Sequence, residues 1–224
     1  MGPTEKPPAG ERSVLQQQAS CEASAVTALE RNLRRSILIS CRLSSTGSVG
    51  HARAPQRLVK LRVTDDSRLL ALIDPDAYSG FVAENWALEH IVARFHEEMA
   101  ARHLLIWGTG QEGCWTVDVS LSRAVEAGIR EVAGSIVATK GRLLLTNYES
   151  LTMMAQFSDL TLPEPHQTAL VLDVPPGLYR CRVVQHALQA GNWADGGDAE
   201  FSIELQPAKV PEPTWAKIPW SEGL

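Results

Sequence analysis

Apolar and polar residues alternate through much of the second half of the chain. In residues 115–121, Trp115, Val117, Val119 and Leu121 fall on one side, and Thr116, Asp118 and Ser120 on the other. A period of two marks a strand with one buried face. Residues 178–184 repeat the pattern, with Tyr179, Cys181 and Val183 opposite Leu178, Arg180 and Arg182. Phe201, Ile203 and Leu205 mark a last strand, and residues 58–63, 69–73, 104–107, 134–139, 142–148 and 169–174 are further strand-like runs. Lys140-Gly141 predicts a hairpin, because glycine reaches positive φ without a steric penalty. Pro175-Pro176-Gly177 predicts a turn. Between residues 85 and 103 the period lengthens: Leu88, Ile91, Val92, Phe95 and Met99 recur every three or four positions. That is one face of an amphipathic helix, with Asn85 as its expected N-cap. Residues 120–128 predict a short helix ended by Gly128. Residues 149–157 fit helix and strand equally. Together these elements predict an α+β, mostly β fold. Its core is an antiparallel β-sandwich-like arrangement with one prominent amphipathic helix.

Composition divides the chain further. Residues 1–55 are rich in Pro, Gly, Ser, Ala and Arg and predict a disordered or loosely attached basic leader. Residues 56–110 read as an α+β subdomain, 111–206 as an antiparallel sandwich-like subdomain, and 207–224 as a Pro-rich tail. A single domain over the same span is equally open. No apolar run approaches the roughly 20 residues of a membrane span. The four cysteines, Cys21, Cys41, Cys114 and Cys181, form no CxxC pair. That fits a reducing, cytoplasmic setting and argues against a disulfide framework or a structural zinc site.

Charge is uneven. Residues 1–60 hold nine Lys and Arg against four Asp and Glu, and residues 61–224 hold twelve against twenty-two. An acidic body behind a basic leader is expected to be either a solvated surface or a field that draws in a basic protein partner. Clustered Lys and Arg for phosphate contacts are lacking, so direct nucleic-acid binding by the body is not expected.

No motif carries a reaction. Gly108-Thr-Gly110-Gln-Glu-Gly113 matches GxGxxG, but a strand pattern follows where a phosphate-binding helix would begin, so a glycine-rich hairpin loop is expected. His96-Glu97 opens like HExxH, but Ala100 stands where the second ligand belongs. No metal or cofactor is expected. Cys114 and Cys181 sit in strands and read as small core residues. The acidic loop of residues 192–200 carries Trp193, Asp195, Asp198 and Glu200. A large apolar group at a polar loop tip can anchor an interface, which makes these four the candidate partner-binding residues.

Residues 115–141, followed by a strand and then by residues 170–184, resemble the bacterial competence protein J family. The positions that carry the likeness are Ala124, Glu126 and Gly128, then Gly134 and Ile136, then Pro176, Gly177 and Tyr179. The likeness covers about residues 104–206. It implies a small, mostly β inhibitor that binds a secreted or membrane-linked nuclease, hence a nuclease-inhibitor or immunity-type protein. It transfers no inhibitory residue, since the matching positions belong to turns and core. The region 56–103 and the leader are additional to it. Two functions follow. One is a non-enzymatic module that neutralises a basic toxin or nuclease. The other is a small-ligand or enzymatic domain using the Gly108–Gly113 loop and the helix histidines His90, His96 and His103.

Overall fold

The computed structural model describes residues 58–121, 125–190 and 198–221. The leader, Trp193 and Asp195 lie outside the described residues. Nine strands are described: β1 (Leu58–Asp65), β2 (Leu69–Ile73), β3 (Leu104–Gly108), β4 (Gly113–Leu121), β5 (Arg130–Ala138), β6 (Arg142–Asn147), β7 (Val171–Asp173), β8 (Gly177–Gln185) and β9 (Phe201–Pro207). Helix α1 (Leu88–Ala101) and helix α2 (Tyr148–Gln156) accompany them, with a 3-10 turn at Pro165–Leu170.

The strands form a five-stranded sheet, β1-β4-β9-β8-β5, and a four-stranded sheet, β3-β2-β6-β7. Alternation explains how they stack. Trp115, Val117 and Val119, then Tyr179, Cys181 and Val183, then Phe201, Ile203 and Leu205 all point into one core. There they meet Leu70, Leu72, Leu105, Trp107, Leu143 and Leu145 from the smaller sheet. The smaller sheet is apolar on both faces. Its other face, Leu69, Ala71, Ile73, Leu104, Ile106 and Leu144, is covered by Ile91, Phe95 and Met99 of α1 and by Leu151 and Ala155 of α2. This accounts for the unbroken apolar run of β2, LLALI, all five residues of which are buried. The layers are therefore large sheet, small sheet, helices, and the mostly β, sandwich-like fold stands as expected.

Several local expectations are corrected. The chain changes sheet after β1, β3, β5 and β7, so two expected hairpins are corners between sheets. Lys140-Gly141 joins β5 of the large sheet to β6 of the small one, with Gly141 at φ 82°. The glycine-rich loop likewise joins β3 to β4 across the sandwich and is no hairpin. Pro175-Pro176-Gly177 turns between β7 and β8, and the Tyr179 hydroxyl closes that corner by donating to the Pro175 carbonyl at 2.6 Å. The sandwich is also not wholly antiparallel, because β4 and β9 pair in parallel. A division at residue 110 does not match the sheets. β1 pairs with β4, and β2 pairs with both β3 and β6, so each sheet draws strands from both sides of that boundary.

The expected helix at 120–128 is absent where the chain is described: Ser120 and Leu121 continue β4 beside Glu204 and Leu205, and residues 125–128 are irregular. The cross-strand partners prevail over a weak helical pattern. Helix α1 starts later than expected, with Ala87, not Asn85, at the N-cap. His90 compensates, its Nδ1 accepting the Ala87 amide at 3.3 Å. Residues 149–157 resolve as α2, capped by the Asn147 side chain on the Ser150 amide at 3.0 Å. The Pro-rich tail packs onto the body. Trp215 Nε1 donates to the Ala133 carbonyl of edge strand β5 at 2.6 Å, and the Gly108 amide of edge strand β3 donates to the Pro219 carbonyl at 2.8 Å. Covering two edges on one side removes exposed strand-pairing groups there.

Candidate functional site

With its inner face in the core, the large sheet presents its outer face as a grid of polar side chains. Register dictates who meets whom. Lys60, Asp118 and Ser202 lie in one row across β1, β4 and β9, and Ser120, Glu204 and Arg182 lie in the next. Over β4 and β9 this face dips into a cavity of about 400 Å³. Asp118, Ser120 and Ser202 line it from the strands. Val125 and Glu126 line it from the segment after β4, and His186, Asp198 and Ala199 from the β8–β9 connection.

The walls are held by buried charge. Arg182 reaches Glu204 at 3.3 Å and Glu131 at 2.5 Å, and it also donates to the Val125 carbonyl at 3.0 Å. Glu204, 3% exposed, accepts from the Val125 amide at 3.5 Å and from Gln206 Nε2. The segment at 125–126 is thus tied down onto the sheet. On the other wall, the His186 amide donates to the Glu200 carbonyl at 2.8 Å, and His186 Nε2 lies 2.8 Å from Ser202 Oγ.

Of the expected contact residues, Trp193 and Asp195 are outside the described residues. Asp198 is exposed at the cavity. Glu200 is buried, 7% exposed, and its carboxylate accepts the Thr116 amide at 2.7 Å. That bond, with Glu200 N donating to the Thr116 carbonyl at 3.0 Å, starts the parallel pairing of β9 on β4. Asp118, Ser202 and His186 were not singled out as a group from the sequence. The polar parity of residues 116–120 and 202–204 was a signal that they face outward. The 84-residue separation of Asp118 and Ser202 hid that they are neighbours.

With Glu126 and Asp198, Asp118 is one of three carboxylates at the site. One of its oxygens is buried without a hydrogen bond, and Lys60 Nζ stands 3.9 Å from it. Burial holds the Asp118 carboxyl above its ordinary range. Lys60 and His186 oppose that shift, and Asp198 and Glu200 add to it. A carboxyl whose pKa is raised by folding binds its proton more tightly in the folded state. Its contribution is therefore most favourable below the unfolded pKa and is lost as pH rises through the folded one. Asp118→Asn is expected to raise the melting temperature at neutral pH and to leave it little changed at acid pH. Thermal denaturation across pH 3 to 8, a range spanning roughly the ordinary carboxylate and histidine values, checks this.

A Ser–His contact in a cavity invites a nucleophilic reading. The lining opposes it: Asp118, Glu126 and Asp198 would repel the oxyanion that acyl transfer develops. Cys181 is no nucleophile either, its thiol being fully buried and pushed up to about 12 by that burial. Cys114 and Cys181 are buried thiols outside any disulfide among the described residues, as small core residues should be, and Cys114 Sγ lies 3.0 Å from the Thr64 hydroxyl. Among the described residues no group of three or more His, Cys, Asp or Glu could hold a metal ion.

The glycine-rich loop and the helix histidines do not line this cavity. A Cβ at Gly108 would sit 2.2 Å from the Trp220 carbonyl oxygen, so the tail occupies the close approach a phosphate would need. Thr109 is buried and donates to Asp65 at 2.8 Å. Arg130 clamps the loop, donating to the Gly108 carbonyl at 3.3 Å and to Gln185 at 2.6 Å while stacking 4.6 Å over the Trp220 ring. His103 is paired with Glu98 at 3.0 Å.

No protein-family model matches the chain, and no curated protein matches it. Two solved structures do. "Crocagin biosynthetic gene J" superposes with a TM-score of 0.50 at 18% identity, over 69% of this chain and 99% of that one. The fold is shared. ComJ from Bacillus subtilis, an inhibitor of the DNA degrading activity of NucA, matches with a TM-score of 0.44 at 13% identity, over 69% of this chain and all of its own. The resemblance read from the sequence is therefore weak, and the shared fold is that of the first of these structures. Among the described residues no helix is long and apolar enough to cross a membrane.

Proposed function

We propose that this chain is a non-enzymatic protein-binding module of the nuclease-inhibitor or immunity type, which neutralises a basic partner by presenting to it the acidic cavity on the outer face of the large sheet. The observation that carries the reading is the cavity on that face, lined by Asp118, Glu126 and Asp198 and with Lys60 as the cation nearest to Asp118. Complementary fields speed encounter and select against wrong partners. The excess of acid over base in residues 61–224 extends the field beyond the cavity. Asp198 contributes directly, and Trp193 and Asp195, which precede it in the sequence, are proposed contact residues as well. Glu200 acts by holding β9 in place. The same acidity disfavours direct contact with nucleic acid phosphates. A cytoplasmic location goes with this reading, Cys114 and Cys181 being thiols and not half-cystines.

The test is capture on the immobilised full chain from extracts of its own cells, at low and high salt, with DNA cleavage assayed in the depleted extract. Retention of a basic nuclease at low salt, its release by salt, and loss of cleavage from the extract are expected. Retention of no protein, or of partners insensitive to salt, would overturn the reading.

A further inference from the structure

We infer that the cavity over β4 and β9 is a socket for one arginine side chain presented by the basic partner. This rests on the binding reading above and specifies how the face recognises its target.

Three properties of the cavity point to a guanidinium. First, separate elements contribute carboxylates to its lining. Asp118 rises from β4, Asp198 stands on the connection into β9, and Glu126 lies on the segment after β4. A planar fork of five donors fits several acceptors spread around a cleft, which a point-like ammonium does not. Second, the lining is amphipathic. Leu58, Val125 and Ala199 supply apolar surface among the polar groups. Long cationic side chains bury their methylene stems on such surface while the head stays with polar partners. Third, the cavity holds more negative than positive charge: Asp118, Glu126 and Asp198 line it, and Lys60 stands 3.9 Å from Asp118, beyond hydrogen-bond distance. A cation seated inside would supply what Lys60 leaves unmet. About 400 Å³ is ample for one such side chain and lies at the small end of ligand pockets.

The rigidity of the walls supports the assignment. Arg182 fixes the Val125 side, and the His186–Ser202 contact fixes the other. A socket built before the partner arrives spends little of its binding energy on ordering side chains.

The experiment uses the full chain, labelled with 15N, and N-acetyl-arginine methylamide as the probe. The citrulline analogue, equal in shape and uncharged, is the control. Saturable shifts at the amides of Asp118, His186 and Ser202 are expected with arginine, at least tenfold weaker with citrulline. Asp118→Asn and, separately, the exposed Asp198→Asn should each weaken arginine binding several-fold while leaving the rest of the spectrum in place. Equal binding of both probes, or shifts scattered over other surface acids and indifferent to either variant, would overturn the socket. The partner capture separates this from the broader reading. Capture that persists unchanged with Asp118→Asn removes the socket and spares the binding role. No capture by the wild type, with arginine still bound in the cavity, removes the role and spares the socket.

Discussion

Trp115→Ala is expected to remove about 3–5 kcal/mol of folding stability, the scale for deleting a large aromatic from a packed core. Trp115 is fully buried between the sheets, with its ring edge-on to Phe201 at 5.2 Å. It sits at the start of β4, beside the point where Glu200 docks β9 onto Thr116. The void left by alanine would therefore open where the parallel pair begins. A domain of this size is stable by only about 5–15 kcal/mol, so the loss is a large share of the total. Trp115→Phe keeps most of the ring and should lose less than half as much. Urea unfolding should show a lower midpoint with an unchanged slope. A loss under about 1 kcal/mol, the middle of the range for ordinary substitutions, would mean that the two sheets do not pack as described.

The second large effect is expected at Arg182. Its guanidinium is 18% exposed and the Glu204 carboxylate beneath it is 4% exposed. Arg182→Ala strands Glu204 as a buried charge and releases the 125–126 segment, which should cost about 3–5 kcal/mol. Replacing both partners, Arg182→Met with Glu204→Leu, removes the stranded charge and should recover most of that loss. A double-mutant cycle reads the difference directly. Purely additive losses would show that the pair is a surface ion pair of little worth and that it does not brace the cavity wall.

Much of the fold was legible because strand alternation is a local property. The inward sets of β4, β8 and β9 could be read residue by residue, and so could Ile91, Phe95 and Met99 of α1. The sheet to which each strand belongs could not. Lys140-Gly141 and Pro175-Pro176-Gly177 look the same whether the chain returns beside itself or crosses to the other layer. The choice is made by distant partners: β5 finds β8 and β6 finds β2. The site was hidden for the same reason. Asp118 and Ser202 were visible as outward residues, but only the parallel pairing of β4 and β9 makes them neighbours. Asp198 was read as a contact residue from its loop and does line the cavity. Glu200, two residues on, belongs to the strand-docking network, a role that depends on Thr116 across the fold.

The central claim is that the outer face of the large sheet, and not the helix layer, meets the basic partner. The association rate of the captured partner tests it most directly, measured for wild type, for Asp118→Asn with Asp198→Asn, and for Glu84→Gln with Glu89→Gln on the exposed helix side. Both variants remove two negative charges. The first should slow association by about tenfold and steepen no further with salt, while the second should leave the rate near that of wild type. Equal slowing by the two variants, or slowing by the second alone, would contradict it.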